Sequence, residues 1–274
     1  MKYLLPFVAV VFACSACDSD SVDGNPDYFT SDQIVVDGTY SLFLLNNHDG
    51  TASVTYDRSN PTHLNSSNAA KISTYEGDIV IHSEVSVAGQ YFSVTGVGDM
   101  AFANNSSLSS VVLPDVVRSM GAGAFCNCTS LSSVNIPDGV SVIPDAAFGK
   151  CSKMKMYSLP SSVRSIGSLA FAANSALTEL VLPDGLVSIG ERAFWKCSKL
   201  KSLTIPVSVS SVGTNALLQA SALKELHVLA AVPPLSGDSI IDSSSKAVLF
   251  VPAGSKEAYA NSGAWARFSS ISEE

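Results

Sequence analysis

The feature that most constrains this chain is a column of aromatic residues that recurs every 23 positions. Five phenylalanines keep this spacing and Leu217 continues it: Phe102, Phe125, Phe148, Phe171 and Phe194. An alanine precedes each of these six residues, and a glycine lies four positions before each, with Pro144 in the one exceptional slot. A period of this length indicates a repeat architecture, in which stacked neighbours bury a common core that no single repeat could bury alone.

The second half of each repeat has the pattern of a short β-strand. In the second repeat, Leu131, Val134 and Ile136 form an L-x-x-L-x-L segment, and Pro137 follows directly. Alternate strand residues point to one side, so these aliphatic residues face a shared interior, and the proline cannot extend the hydrogen-bond ladder. Glycine permits a tight corner, and the Ala-Phe pair supplies one small and one large side chain to the same interior layer.

Written once, the repeat reads I-G-x-x-A-F-x-x-C/N-x-x-L-x-x-L/V-x-L/I-P-x-x-V over about residues 96–232. This motif resembles the BspA-like (Treponema pallidum-type) leucine-rich repeat of bacterial surface proteins. The resemblance implies a β-rich repeat solenoid. The expected form is a right-handed leucine-rich repeat stack of six 23-residue repeats, with a β N-terminal cap and a small strand–helix C-terminal cap. Six repeats exceed the three or so that such a stack needs for stability.

The segments that flank the repeats predict caps. Residues 36–95 carry strand-like runs and predict a β-rich N-terminal cap, whereas residues 96–235 hold the leucine-rich repeats. Residues 236–274 predict a C-terminal cap with a strand that ends at Val251 and a short helix capped by Ser255. Trp265 and Phe268 are expected to cover the end of the core, because an open solenoid end exposes apolar interior.

The first residues have the pattern of a lipoprotein signal peptide, residues 1–16. Ten apolar residues at positions 4–13 suffice for a signal-peptide core and are too few to cross a membrane. Small residues precede Cys17 and an acidic stretch follows it, which resembles surface-exported lipoproteins of Bacteroides-type bacteria and implies lipid attachment at Cys17. Cys14 is an alternative attachment site, and an ordinary secretory signal ending near Ala16 is another. Residues 17–35 are acidic, contain glycine and proline, and predict a flexible tether.

Composition excludes several classes of protein. The 274 residues are 46% hydrophobic and carry a formal net charge of −8, so the chain is too apolar for a disordered tail and too acidic for a nucleic-acid-binding protein. No apolar run reaches the length of a transmembrane helix. Together with the lipoprotein signal peptide, the lack of such a run predicts an outer-membrane lipoprotein on the cell surface. Its lipid alone would hold it to the membrane. A periplasm-facing location is the alternative.

One column of the repeat holds cysteine or asparagine. Its members are Asn105, Cys128, Cys151, Asn174 and Cys197. The pattern predicts a buried ladder of small side chains at a turn. A disulfide between Cys128 and Cys151 is an open alternative, since adjacent rungs of a sheet lie about 5 Å apart. A metal site formed with Cys126 is disfavoured because no histidine shares this register.

No arrangement of residues predicts catalysis. The segment Gly96-x-Gly98-x-x-Ala101 matches a dinucleotide-binding fingerprint, but the repeat already accounts for Gly98 and no βαβ unit surrounds it. The four histidines are scattered, and no G-x-S-x-G elbow is present. The sequence therefore predicts a non-enzyme with no cofactor, no metal and no catalytic residue.

Two surfaces are candidates for ligand binding. One is a basic face of the repeats, formed by Lys153, Lys155, Lys199, Lys201 and Lys224, which suits an acidic protein or a glycan but also fits a solvated outer strip. The other is the outward side of the L-x-x-L-x-L strands, where leucine-rich repeat proteins commonly bind ligands. Its candidates are Asn135, Met156, Ser158, Glu179, Ser202, Thr204, Glu225 and His227. Because this surface has no aromatic anchor, we expect modest affinity per contact.

These observations predict a non-catalytic surface lipoprotein that acts as a binding module. The family resemblance suggests adhesion through a protein or glycan ligand, such as host extracellular matrix, with a monomeric chain and no nucleic-acid partner. A structural or accessory subunit of a cell-envelope complex is the alternative of a different class.

Overall fold

Each 23-residue repeat forms one turn of a β-solenoid of about eight turns, which contains little helix and confirms the fold expected from the sequence. The structure is a computed structural model that describes residues 43–47, 49–55, 77–87, 90–156, 158–242 and 245–274. The signal peptide, Cys14, Cys17 and the tether lie outside these described residues. We number the repeats one to six by their interior residues, from Phe102 in repeat one to Leu217 in repeat six.

Short strands account for most of the regular structure. In chain order they are β1 (Phe43–Asn46), β2 (Thr51–Thr55), β3 (Gly77–Val80), β4 (Glu84–Val87), β5 (Gln90–Val97), β6 (Leu108–Val112), β7 (Ser119–Met120), β8 (Ser133–Asn135), β9 (Val142–Ile143), β10 (Ser165–Ile166), β11 (Ser188–Ile189), β12 (Ser202–Ile205), β13 (Ser211–Val212), β14 (Glu225–Val228), β15 (Leu235–Ser236), β16 (Val248–Val251) and β17 (Ser270–Glu273). One helix, α1 (Lys256–Ala260), and a 3₁₀ turn at Trp265–Arg267 follow β16.

The L-x-x-L-x-L segments build the first ladder. Strands β3, β6 and β8 pair in parallel at its N-terminal end, and β12, β14, β16 and β17 pair in parallel at its C-terminal end. Between these two sheets, repeats three and four are linked by a single bridge between Ser158 and Val181. We call the outward side of this ladder the strand face.

The second ladder is built from the two-residue segments that close each repeat. Strands β9, β10, β11, β13 and β15 pair in parallel, and Ile166 stands opposite both Ile143 and Ile189. The inward residues of β9, β10, β11 and β13 are buried, which follows from the period of two in a strand. The two ladders thus face each other across one apolar core.

The flanking segments continue these ladders and cap them. Strands β1 and β2 form an antiparallel hairpin, and β2 pairs in parallel with β5. At the other end, Trp265 and Phe268 are buried as expected, and Tyr259 of α1 packs edge-on against Trp265. The Tyr259 hydroxyl donates to Ala230 O and the Trp265 indole donates to Pro234 O. Ser255 occupies the N-cap position of α1, but its side chain makes no capping hydrogen bond, contrary to the expected cap.

The phenylalanine column forms a continuous interior stack, which confirms the central prediction from the sequence. Successive ring centroids are 4.9, 5.4, 5.5 and 5.7 Å apart, and the interplanar angles do not exceed 14°. All five rings are buried. Their spacing repeats the separation of adjacent β-strands, so each turn places its ring directly on the ring of the preceding turn.

The cysteine column is buried, and its thiols are free rather than paired as a disulfide. Each sulfur donates to the carbonyl of the phenylalanine 26 residues earlier: Cys128 to Phe102, Cys151 to Phe125 and Cys197 to Phe171, at 2.8–3.1 Å. Burial raises the pKa of Cys197 to about 12 and raises the pKa of Cys128 and Cys151 far above the ordinary thiol value. These thiols therefore stay protonated and act as small structural side chains.

The glycine column is required by close approach between turns. A Cβ atom on Gly190 would lie 2.5 Å from the backbone carbon of Gly167, and one on Gly167 would lie 2.6 Å from the backbone nitrogen of Asp145. The positive-φ corner that the sequence assigned to glycine lies two residues later, where residues such as Leu169 and Arg192 have φ of 58° and 52°. Glycine is thus needed for space between turns and not for its backbone conformation.

Candidate binding surface

The strand face presents two parallel columns of outward residues, one from each alternate strand position. The register places Ser202 opposite Glu225, and Thr204 opposite His227. Met156 is a correction to the predicted surface, because its side chain is only 7% exposed. Regular alternation requires a regular strand, and residues 154–156 form none. Met156 therefore joins the core and offers no contact to a ligand.

Two other predicted residues are already occupied by structural contacts. The Asn135 amide donates to Leu113 O at 2.8 Å and accepts the Leu113 N–H at 2.6 Å, so it ties two turns together. His227 lies 2.9 Å from a Glu274 carboxylate oxygen and stacks on Phe250 at 4.7 Å. Both side chains therefore stabilise the solenoid itself.

Four of the five remaining strand-face candidates lie in or beside a shallow depression of repeats four to six, and Glu225 does not line it. Its volume is about 320 Å³, and its lining includes Glu179, Val181, Asp184, Ser202 and Thr204. Ser158 is exposed directly beside Val181 in the preceding turn. The structure therefore gathers four predicted residues, Ser158, Glu179, Ser202 and Thr204, at one place.

Exposed aliphatic side chains border this depression, and the sequence reasoning missed them. Val181 is 64% exposed and Leu229 is 46% exposed, and both line the depression. Val207, which follows the lining residue Pro206, is 68% exposed. The repeat alignment does indicate these exposed residues. Leu229 lies at the position where the five preceding repeats have proline, and Val207 lies where the other repeats have mostly aspartate or serine. Exposed apolar clusters of this kind mark interaction sites.

An aromatic residue on the strand face was also missed. Phe250 of β16 stands opposite His227 of β14, so the pair lies in the same outward column as Thr204. The cap predicted for residues 236–274 does not by itself place Phe250 on this face. Aligning the segment V-L-F-V of β16 with E-L-H-V of β14 places Phe250 at the position of His227.

The five predicted lysines are exposed and lie in two neighbouring columns of repeats three, five and six. Lys155, Lys201 and Lys224 immediately precede the strand face, and Lys224 N–H donates to Lys201 O in the adjacent turn. Within the described ranges, none of the five takes part in a salt bridge. Their charges are therefore open to solvent and to a ligand.

Metal sites and membrane-spanning helices are absent from the described part of the chain. There, no group of three or more histidine, cysteine, aspartate or glutamate side chains is arranged to hold a metal ion. None of the described helices has both the length and the apolar character that a bilayer span requires.

Comparisons with known proteins identify the repeat type. The family described as "BspA type Leucine rich repeat region" matches residues 93–230 with six copies. A Treponema pallidum leucine-rich repeat protein is 31% identical, with a TM-score of 0.51, over 58% of this chain and 77% of that one. A Bacteroides ovatus leucine-rich repeat protein is 18% identical, with a TM-score of 0.50, over 90% and 76%. A leucine-rich cell surface protein of Faecalibacterium prausnitzii is 21% identical, with a TM-score of 0.51, over 93% and 73%.

No curated protein matches the chain. Leucine-rich repeat proteins of the matched type typically bind other proteins, are often found at the cell surface and are generally non-catalytic scaffolds. The match covers half of the sequence and includes every repeat of the phenylalanine column. The chain therefore belongs to the BspA-type leucine-rich repeat family.

Proposed function

We propose that this protein is a non-catalytic adhesion module of the cell surface that binds a protein partner through the strand face of repeats four and five. The observation that carries the proposal is the depression between Glu179, Val181 and Thr204, with the exposed Leu229 at its border. Protein interfaces combine an apolar centre with polar groups at the rim, and this part of the strand face offers both.

The chemistry of the depression suggests which partner group it receives. Glu179 and Asp184 supply two carboxylates, and Val181 and Leu229 supply apolar surface beside them. A lysine or arginine side chain of the partner would place its aliphatic stem on the valine and leucine and its charge near the carboxylates. Because the area is small, we expect useful attachment to depend on many displayed copies of the module.

A matched pair of variants tests this surface. Val181→Lys places a charge in the depression, whereas Val142→Lys makes the same change at a valine of the second ladder that is also exposed. The purified chain is screened against extracellular-matrix proteins, and binding of the best ligand is measured for both variants. We expect Val181→Lys to weaken binding at least tenfold and Val142→Lys to change it less than twofold. Equal effects would reject the strand face as the binding surface.

We further propose that Cys17 carries a lipid that anchors the protein to the outer membrane with the repeats facing outward. The support is the apolar core of the signal, the small residues before Cys17 and the acidic residues after it. Cys17→Ala should release the protein from the membrane fraction, with Cys14→Ala as the matched control.

A second experiment tests on which side of the membrane the repeats lie. Protease added to intact cells should remove the repeats of the unmodified protein. Full protection would contradict surface display and favour a role within an envelope complex.

A further inference from the structure

Seven lysines form a single basic surface that runs along the solenoid axis beside the strand face. We call this surface the lysine strip, and its members are Lys150, Lys153, Lys155, Lys196, Lys199, Lys201 and Lys224. Repeats three and five carry the same arrangement, because residues 150–155 read KCSKMK and residues 196–201 read KCSKLK. Repeat four, between them, has small or neutral residues in the corresponding segment, ANSALT at 173–178.

Carboxylates are excluded from the strip and border it on both sides. The corresponding six-residue segments of all six repeats contain no aspartate or glutamate, although the whole chain has a net charge of −8. Two exposed carboxylates precede the strip, Asp145 in repeat three and Glu191 in repeat five, and Glu191 pairs with Arg192 at 3.0 Å. Two others follow it, Glu179 in repeat four and Glu225 in repeat six. At the C-terminal end, Asp242 accepts the Gln219 N–H. The strip is therefore a positive surface with single carboxylates on both sides.

The fold accounts for the lysines only in part, through a 3.5 Å hydrogen bond from Lys153 Nζ to Ser130 Oγ and the contact of Lys196 Nζ with the Trp195 ring. All seven side chains are exposed, and none forms a salt bridge within the described residues. Lys150 and Lys196 have φ of 61° and 58°, a left-handed conformation that asparagine adopts more readily. Asn127 occupies the same column with φ of 61°, so asparagine fits this corner equally well. Lysine at this position is thus unfavourable for the backbone and is accounted for by its charge.

We propose that the lysine strip binds a linear sulfated polysaccharide lying parallel to the solenoid axis. Adjacent turns are separated by the strand spacing of about 4.8 Å, so the lysine triplets of repeats three and five lie roughly 10 Å apart. A polymer with anionic groups at regular short intervals meets both triplets in one extended pose. The small side chains of repeat four, such as Ala173 and Ala176, leave room for it to pass between them.

Other polyanions fit the strip less well. Protein interfaces are enriched in aromatic residues and arginine and depleted in lysine, and the strip contains lysine alone. Single-stranded nucleic acid is held by stacking on aromatic side chains, and the ring of Trp195 in repeat five already has the Lys196 ammonium 4.4 Å from its centroid. A nucleic-acid duplex is wider than the strip and brings further phosphates towards bordering carboxylates such as Glu179. A thin polysaccharide chain avoids these carboxylates.

This inference extends the proposed function to a second surface and is tested independently of it. The probe is a fluorescent heparin dodecasaccharide, and its binding to the full chain is followed by anisotropy over a range of salt concentrations. We expect Lys155→Glu combined with Lys201→Glu to weaken binding at least tenfold. The double variant should also lower the slope of log affinity against log salt by about one to two. Val181→Lys leaves every lysine of the strip in place and should not weaken binding, which separates the two surfaces.

A matched control carries the same change in charge away from the strip. Lys256→Glu combined with Arg267→Glu alters two exposed residues of the C-terminal cap and should change affinity less than threefold. Thermal melting of both double variants confirms that they fold. The proposal is overturned if the control weakens binding as much as the strip variant, or if the desulfated dodecasaccharide binds equally well. It is also overturned if duplex DNA, single-stranded DNA or polyglutamate of matched charge binds more tightly than the sulfated probe.

Discussion

The two halves of each repeat differ in how much their sequence and structure vary along the solenoid. The turn half, from the glycine to the cysteine column, keeps its interior phenylalanine stack unbroken from Phe102 to Phe194. The strand half varies from one repeat to the next, and its ladder is reduced to a single bridge between Ser158 and Val181 in repeats three and four. The interior of the turn half thus varies less from repeat to repeat than the strand half does.

The physical reason is what each side chain touches. In the turn half, a ring lies on an identical ring and a glycine lies against the backbone of the preceding turn, so any change in volume is transmitted to two neighbours. In the strand half, only alternate residues face the core, and the others face solvent. The interior positions of the turn half are therefore fixed by packing, whereas outward positions, above all those of the strand half, are free to acquire a binding function.

The sharpest test of this difference is Phe148→Ala. The Phe148 ring is buried between Phe125 and Phe171, with centroid distances of 5.4 and 5.5 Å. We expect the free energy of unfolding to fall by about 3–5 kcal/mol, as for other buried aromatic truncations. Val181→Ala removes exposed aliphatic atoms from the strand face and should change it by less than about 0.5 kcal/mol. Urea unfolding followed by circular dichroism measures both. Similar losses of unfolding free energy in the two variants would contradict the difference between the turn half and the strand half.

A smaller loss is expected from adding one methyl group to the turn half. Gly190→Ala would place its Cβ 2.5 Å from the Gly167 backbone carbon, and overpacking of this kind costs about 1–3 kcal/mol. Gly185→Ala is the matched control, because the atoms nearest to its Cβ belong to the flexible Arg164 side chain, which can move aside. The difference in urea midpoint between the two variants measures the backbone contact. A control as unstable as Gly190→Ala would show that the clash between turns is not the cause.

The sequence was informative wherever identical residues stack. The period of 23, the interior phenylalanines and the buried cysteine column could all be predicted, because the repeat superimposes each residue on its own equivalent. Burial of Met156 could not be predicted, since it follows from the local loss of a regular strand. The position of Phe250 on the strand face was missed because residues 236–274 were assigned to a cap, although Phe250 keeps the 23-residue spacing from His227 and pairs with it in the ladder.

The binding surfaces were less predictable than the fold. The lysines recur in register and are visible in the sequence, so their exposure could be anticipated. Which outward side chains remain available to a ligand depends on contacts such as the two hydrogen bonds between Asn135 and Leu113. Such contacts are seen only in the three-dimensional structure, because the spacing of residues in the sequence does not predict them.

The smallest predicted effect concerns the two asparagines of the cysteine column, which are both buried but differ in their partners. Asn105 Oδ1 accepts the N–H groups of Ser107 and Leu108, each at 3.1 Å, and only its Nδ2 has no partner. Asn174 is fully buried, and neither its Oδ1 nor its Nδ2 has a hydrogen-bond partner. An unsatisfied buried polar group destabilises the folded state, so the same residue type is useful in repeat one and costly in repeat four.

Asn174→Cys should therefore stabilise the protein, by about 1 kcal/mol or more. The new thiol would take the position of Cys151 and Cys197, whose sulfurs donate to a phenylalanine carbonyl 26 residues earlier. Asn105→Cys is the matched control, and it should be neutral or destabilising because it removes the acceptor for two backbone N–H groups. Urea midpoints measured under reducing conditions compare the two variants. If both shift the midpoint in the same direction, the hydrogen-bond state of the asparagine does not decide its effect, and the turn half is less strictly determined by packing than its repeat suggests.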